Sequence, residues 1–206
     1  MNKMLKKSII LCASLAMLTA AGCAASTAQN STPASPAAVT QSAPTTIKLK
    51  TKTLFINTSR SAEGNTYQMG ERFLTGVPHD TIFLNDYKIY QLGQHFPNDQ
   101  LSTVLSAMEQ ADTIVIGTPV YWHTMSGGLK TFIDRLYELD KPVSALAGKK
   151  LYFLMQGAAP SQDTLRQVPY IMTRVASQYD MQYMGAALGM SSDDLAPLQT
   201  VLHQNL

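Results

Sequence analysis

The sequence predicts an α/β domain built on a doubly wound sheet of five parallel strands in the order 2-1-3-4-5, with helices on both faces. Three observations carry that prediction. Short apolar runs alternate with helical patterns over residues 51–206. The segment Thr113-Ile114-Val115-Ile116 is short, continuous and β-branched, the mark of a strand covered on both faces. A chain of 206 residues, 45% hydrophobic and 15% charged, suits one core plus a tail. Alternating strands and helices imply right-handed crossovers. In the order 2-1-3-4-5 the connections diverge after strands one and three, and ligands bind beyond the C-terminal strand ends there.

Residues 1–22 are expected to be an export signal rather than part of the fold. Lys3, Lys6 and Lys7 give a positive start, and Ser8 to Leu18 is an apolar run too short to span a bilayer. Leu18-Thr19-Ala20-Ala21-Gly22-Cys23 resembles the lipobox of bacterial lipoproteins, in which small residues precede a cysteine that is lipidated and becomes the new N-terminus. The expectation is a lipidated Cys23 and an extracytoplasmic, membrane-anchored lipoprotein; an ordinary secretory signal cut nearby is the alternative. Residues 1–22 carry three of the 16 basic residues and none of the 14 acidic ones, which leaves a net charge of about −1. With Cys12 removed and Cys23 lipidated no free thiol remains, which excludes thiol nucleophiles, thiol redox pairs and cysteine-held clusters. Near-neutral charge also argues against a nucleic-acid partner. Residues 23–50 are rich in Ala, Ser, Thr, Gln and Pro without a hydrophobic period, and read as a flexible tether to a domain over 51–206.

Within the domain, Thr53 to Asn57 is the first predicted strand and Thr66 to Leu74 the first helix. Thr81 to Leu84, extendable to Leu92, is the second strand. Leu101, Val104, Leu105 and Met108 follow the i, i+3, i+4, i+7 spacing of a helix, and Leu129, Phe132, Ile133 and Leu136 repeat it after the third strand, Thr113 to Gly117. Leu151 to Met155 is the fourth strand. A helix follows over Thr164 to Tyr179, in which Pro169 either starts the main part or introduces a kink. Gln182 to Leu188 is the fifth strand. Ser192 is expected to cap a last helix carrying Leu195, Leu198, Val201 and Leu202, with Pro197 in its first turns.

Three loops lie at the predicted binding end. The first, Thr58-Ser59-Arg60-Ser61-Ala62-Glu63-Gly64-Asn65-Thr66, leaves a strand and enters a helix. Hydroxyls, an arginine and free N–H groups at a helix N-terminus suit a phosphate. There is no Lys-Ser/Thr pair of a nucleoside-triphosphate loop and no GxGxxG, so a monophosphate is expected; a polar surface loop with a helix cap is the alternative. The second loop, Gly117 to Lys130, holds the chain's single tryptophan, Trp122, between Tyr121 and His123. Ser126 can cap the next helix, and Gly127 and Gly128 permit close approach to its backbone. Such a loop suits a planar, redox-active ring; aromatics capping the core are the alternative. The third loop is Gly157-Ala158-Ala159-Pro160.

The run Ala111-Asp112-Thr113-Ile114-Val115-Ile116-Gly117-Thr118-Pro119-Val120-Tyr121-Trp122, followed by Met125-Ser126-Gly127 and Leu129 to Arg135, resembles the flavodoxin-like NAD(P)H-dependent FMN reductases, especially the branch related to iron–sulfur flavoproteins. Gly64-Asn65-Thr66 supports the resemblance, which covers about Thr51 to Leu206. It implies FMN as cofactor and NAD(P)H as a donor. It matches Ser59, Ser61, Asn65 and Thr66, with Arg60 and Gly64, to the phosphate loop. Thr118, Pro119, Val120, Tyr121 and Trp122 match the isoalloxazine segment, and Gly157 and Ala158 the segment closing over the flavin edge. The family often reads Ser-Pro-Arg where this chain has Ser59-Arg60-Ser61. Relatives with a cluster place cysteines after the second strand; Ile89 to His95 contains none, so no iron–sulfur cluster is expected.

His123 can hydrogen-bond the flavin or give a proton to substrate, and can equally be a rim residue. His79, His95 and His203 lack ligand spacing, so no metal is expected. Asp134, Arg135 and Glu138 read as ordinary surface pairs. Ser126 lacks a nucleophile-elbow context, and the methionines are expected in packing roles. The expected function is FMN-dependent transfer of reducing equivalents to a small-molecule acceptor: a quinone, a nitro- or azo-compound, or free flavin. A one-electron carrier of the flavodoxin type and a flavin-binding lipoprotein with little turnover are the alternatives. Reduced nicotinamide is scarce outside the cytoplasm, so a membrane quinol or membrane redox partner is the expected physiological donor. The reading also leaves room for a homodimer.

Overall fold

The computed structural model describes residues 46–139 and 144–206. The export signal over 1–22, the lipidation site Cys23 and most of the expected tether lie outside the described residues. Five strands form one parallel sheet in the order β2-β1-β3-β4-β5. They are β1 (Thr53–Asn57), β2 (Asp80–Phe83), β3 (Thr113–Pro119), β4 (Lys150–Gln156) and β5 (Gln182–Ala187). The helices are α1 (Asn65–Phe73), α2 (Leu101–Gln110), α3 (Gly127–Arg135), α4 (Gln162–Gln178) and α5 (Ser192–His203).

Alternate residues of each central strand enter opposite cores, as the period of two requires. Leu54, Ile56, Ile114, Ile116, Leu151 and Phe153 pack against α2, α3 and α4. Phe55, Val115, Tyr152 and Leu154 pack against α1 and α5. Every residue of β1 and of β3 is buried, which explains their unbroken apolar runs.

Several boundaries differ from the expectation. β2 ends at Phe83, and a short 3₁₀ turn, Leu84–Asp86, replaces the extension to Leu92. β3 continues through Thr118 and Pro119, so both belong to the strand end rather than the loop. Ser191, not Ser192, caps α5: its hydroxyl accepts the Asp194 N–H while the Asp194 carboxylate accepts the Ser191 N–H, a reciprocal box that outcompetes the next serine. α4 runs uninterrupted through Pro169. Residues 47–49 are not free chain: Ile47 and Leu49 pack on the core, and the Gln110 side chain bonds the Ile47 carbonyl at 2.7 Å and the Leu49 N–H at 3.2 Å.

The reading of Arg135 as a surface residue is corrected by its burial. Its guanidinium donates to Asp99 at 2.5 Å, to Glu138 at 2.6 Å and to the Tyr90 carbonyl at 3.1 Å. Helical periodicity places Arg135 on a polar face, but the excursion between β2 and α2 folds back over that face and covers it. Asp134 fits the expectation, pairing with Lys130 on the surface. Among the described residues no helix is long and apolar enough to cross a membrane, and no cluster of His, Cys, Asp and Glu could hold a metal ion.

Candidate active site

The three loops converge beyond the C-terminal ends of β1, β3 and β4, and hydrogen bonds tie them to one another. The Thr58 N–H and hydroxyl both donate to the Gly117 carbonyl, each at 2.9 Å, joining the first loop to β3. The Val120 N–H donates to the Gln156 carbonyl at 2.7 Å, joining the second loop to the third. The Gln156 amide donates to the Thr66 hydroxyl at 3.0 Å, returning to α1. Ser126 caps α3 by accepting the Leu129 N–H at 3.2 Å, and its hydroxyl donates to that of Thr58 at 3.0 Å.

The first loop is wound around Asn57, a residue the sequence reading passed over. Asn57 is fully buried at the end of β1, where an apolar residue would be the rule. Its amide oxygen accepts the Ser59 N–H at 3.0 Å, and the Ser59 hydroxyl accepts the Ser61 N–H at 3.2 Å. Asn85, also unforeseen, donates from the turn after β2 to the Ser59 carbonyl at 3.2 Å. Its only sequence signal was a polar residue after the β2 run.

The predicted phosphate residues therefore divide. Ser59 and Thr66 are buried, with hydroxyls engaged in holding the loops. Arg60, Ser61 and Asn65 are exposed at the mouth. Gly64 is the N-cap of α1, no side chain caps that helix, and its first turn carries no acid. The positive end of α1, with the N–H groups of its first turn, faces this loop.

The second loop holds an unusual turn. Tyr121 and Thr124 exchange backbone hydrogen bonds of 2.9 and 3.1 Å around Trp122 and His123, whose φ angles are 50° and 59°. This is the two-residue reverse turn that normally selects Asn-Gly. Holding a side chain in the left-handed region costs about 1 kcal/mol per residue. The turn stands Trp122 out at 96% exposure, so this aromatic does not cap the core. His123 is exposed too, and its carbonyl accepts the Thr164 hydroxyl at 2.6 Å. Thr118 is buried, its hydroxyl accepting the Ser126 N–H at 3.0 Å, so it shapes the loop from below.

Two open cavities flank the turn. One, of about 470 Å³, is bordered by Arg60, Val120, Tyr121 and Trp122. The other, of about 240 Å³, is bordered by Val120, Trp122, His123, Ala158, Ala159 and Pro160. Gly157 is required between them: a Cβ there would lie 2.8 Å from the Cβ of Val120. Gly117 is similarly constrained, since its Cβ would stand 2.8 Å from the Phe55 ring and 3.0 Å from Thr66.

Comparison with known proteins places the chain in a family. The family described as NADPH-dependent FMN reductase matches residues 51–193. YwqN of Bacillus subtilis (strain 168), whose name describes an NAD(P)H-dependent FMN-containing oxidoreductase, is 30% identical over 92 residues, 41% of this chain and 51% of its own. An FMN reductase (NADPH) of Escherichia coli (strain K12) is 34% identical over 87 residues, 42% of each chain. The chain thus spans about half or less of the length of these curated relatives. The apo form of an NADH:FMN oxidoreductase, EMOB, superposes with a TM-score of 0.58 at 22% identity, over 74% of this chain and 86% of that one, and shares the fold. With most of the described domain inside the matched segment, the chain belongs to the NADPH-dependent FMN reductase family.

Proposed function

We propose that this protein is an FMN-dependent oxidoreductase that passes reducing equivalents to a small planar acceptor: a quinone, a nitro- or azo-compound, or free flavin. The observation that carries the reading is the uncapped, acid-free start of α1 facing a hydroxyl-lined loop, next to a Val120–Trp122 wall that a glycine lets the third loop approach. The residues present fit FMN. Arg60, Ser61 and Asn65, with the first N–H groups of α1, suit one phosphate. Val120, Tyr121 and Trp122 offer apolar surface to a flat ring, and Gly157 and Ala158 offer backbone polar groups at its edge.

Bound FMN would supply the redox chemistry, taking two electrons from a donor and yielding them to the acceptor. The chain holds the phosphate, orients the ring and admits the two reactants in turn. Oxidation of NAD(P)H plus one proton then balances reduction of a quinone to its quinol. His123 borders the smaller cavity, where its imidazole can give a proton to the reduced acceptor.

Titration of the purified domain with FMN and FAD tests the reading. FMN should bind and FAD bind more weakly, because the loop provides for one phosphate and no adenylate. Equal affinity, or none for FMN, overturns it. Asn65→Ala should weaken FMN by about 1.5–3 kcal/mol, the value of a hydrogen bond to a charged group. Family membership favours turnover over the carrier and passive-binder readings, and oxidation of NADPH by the FMN-loaded protein with a quinone present is the measurement that separates them.

A further inference from the structure

We propose that Thr164 is a positioning residue of this site, holding the left-handed Trp122–His123 turn that keeps the indole standing free. The inference rests on the FMN-site reading for its purpose, although the geometry stands without it. Thr164 lies in the first turn of α4, 41 positions from His123 in the chain, and is 2% exposed. Its single proton goes to the His123 carbonyl at 2.6 Å. The Ser161 hydroxyl, 2.9 Å away, must then donate to Thr164, while Ser161 Oγ accepts the Thr164 N–H at 3.2 Å. The relay has one direction, from Ser161 through Thr164 to His123.

The turn needs such a tie. Two successive non-glycine residues at positive φ are strained, and a nearly fully exposed tryptophan gains nothing from burial. Neither feature serves folding, and strain of this kind marks a functional element held in place by its surroundings. The two Tyr121–Thr124 bonds close the turn's neck. The peptide after His123 is held at its N–H end by the Thr124 donation to the Tyr121 carbonyl, and Thr164 holds its carbonyl end, which ties the turn to α4 rather than to its own neck alone. Without the tie, the expected relaxation lays the indole onto the apolar surface of Val120 and Pro160, closing the space between the second and third loops.

The test uses Trp122 as its own reporter, since the chain contains one tryptophan. In the FMN-free protein, Thr164→Val removes the donor and keeps the shape. Its tryptophan emission should move to shorter wavelength and acrylamide quenching should fall at least twofold. Thr164→Ser should behave as wild type. His123→Gly placed on Thr164→Val should restore the exposed signal, because glycine adopts the turn without strain. FMN affinity should drop about 3- to 10-fold in Thr164→Val and stay at the wild-type value in Thr164→Ser. If Thr164→Val lowers the melting temperature yet leaves emission and quenching at wild-type values, the residue merely stabilises α4 and the proposal is wrong. Should Thr164→Val not fold, Thr164→Ala removes the donor at smaller volume, and emission and quenching at wild-type values in that variant overturn the proposal. A wild-type protein that binds no FMN defeats the functional reading alone, while the emission measurements still judge Thr164.

Discussion

Gly157 is the position at which one methyl group would push apart the second and third loops, the walls of the proposed ring site. Its added Cβ would meet the Val120 Cβ at 2.8 Å, whereas one added to Gly127 meets nothing within 4 Å. Gly157→Ala should therefore lower FMN affinity by about 1–3 kcal/mol through forced displacement of the loops, and Gly127→Ala should not. Flavin titration of the two variants checks this. Trp122→Ala separates binding from folding in the same way. With the indole at 96% exposure, truncation should leave the melting temperature unchanged while FMN binding loses about 1–3 kcal/mol of ring contact. Tyr152 presents the opposite case. Its ring is fully buried, its hydroxyl has no partner among the described residues, and burial pushes its ionisation up. Tyr152→Phe removes a stranded polar group at constant shape, so stability should stay level or rise by about 1 kcal/mol. A clear fall in melting temperature would show that the hydroxyl is bonded.

Among the elements, the excursion between β2 and α2 depends most on a single residue. It folds over α3 because Arg135 reaches Asp99 and the Tyr90 carbonyl within it, while Glu138 accepts both the Arg135 guanidinium and the Gly93 N–H. Burial pushes the Asp99 carboxyl up, but hydrogen bonds from Arg135 and from the Leu101 and Tyr90 N–H groups, with the Arg135 charge, outweigh it and hold Asp99 below the usual carboxylate range. A lowered carboxylate contributes stability that is full above its unfolded value of about 4 and is lost as pH falls through the folded value. Arg135→Gln should cost about 1.5–3 kcal/mol, the value of hydrogen bonds to charged groups, by taking the guanidinium from the half-buried Asp99 carboxylate and from Glu138. It should also flatten the loss of stability on acidification below about pH 4. Melting curves of both proteins at several pH values test this; parallel pH profiles would mean that the pair does not govern the excursion.

For the whole molecule, the open question is where electrons enter. We propose that Cys23 carries the expected lipid; a tether of about 27 residues would then allow a reach of roughly 25–30 Å, at ~5–6 Å × √n. Packing of Ile47 and Leu49 on the core shortens this only slightly. No twin arginine occurs among residues 1–7, so on this reading export precedes folding and FMN is acquired outside the cytoplasm. Membranes energised with a respiratory substrate should then reduce the FMN of the lipidated protein, and do so more slowly with Cys23→Ala. Reduction by NAD(P)H alone, indifferent to anchoring, would make the tether an attachment and nothing more.

Sheet order and helix placement were legible in the chain because both follow from periodicity. A run as short and β-branched as Thr113–Ile116 reads as a strand covered twice, and strict alternation of strand and helix leaves few topologies. The expected binding end followed from the same order, and the placing of Val120, Tyr121 and Trp122 in the loop beyond β3 from a contiguous motif. What remained hidden depends on contacts between residues far apart in sequence. No pattern marks Asn57 as the post around which the first loop winds. None marks Arg135 as buried, since the segment covering it begins 45 positions earlier at Tyr90. The exposure of Trp122 was out of reach for the same reason: it depends on two φ angles and on a threonine from another helix. Local propensity sets the elements; the partners of polar groups are set only when the loops meet, and in this protein those partners shape the site.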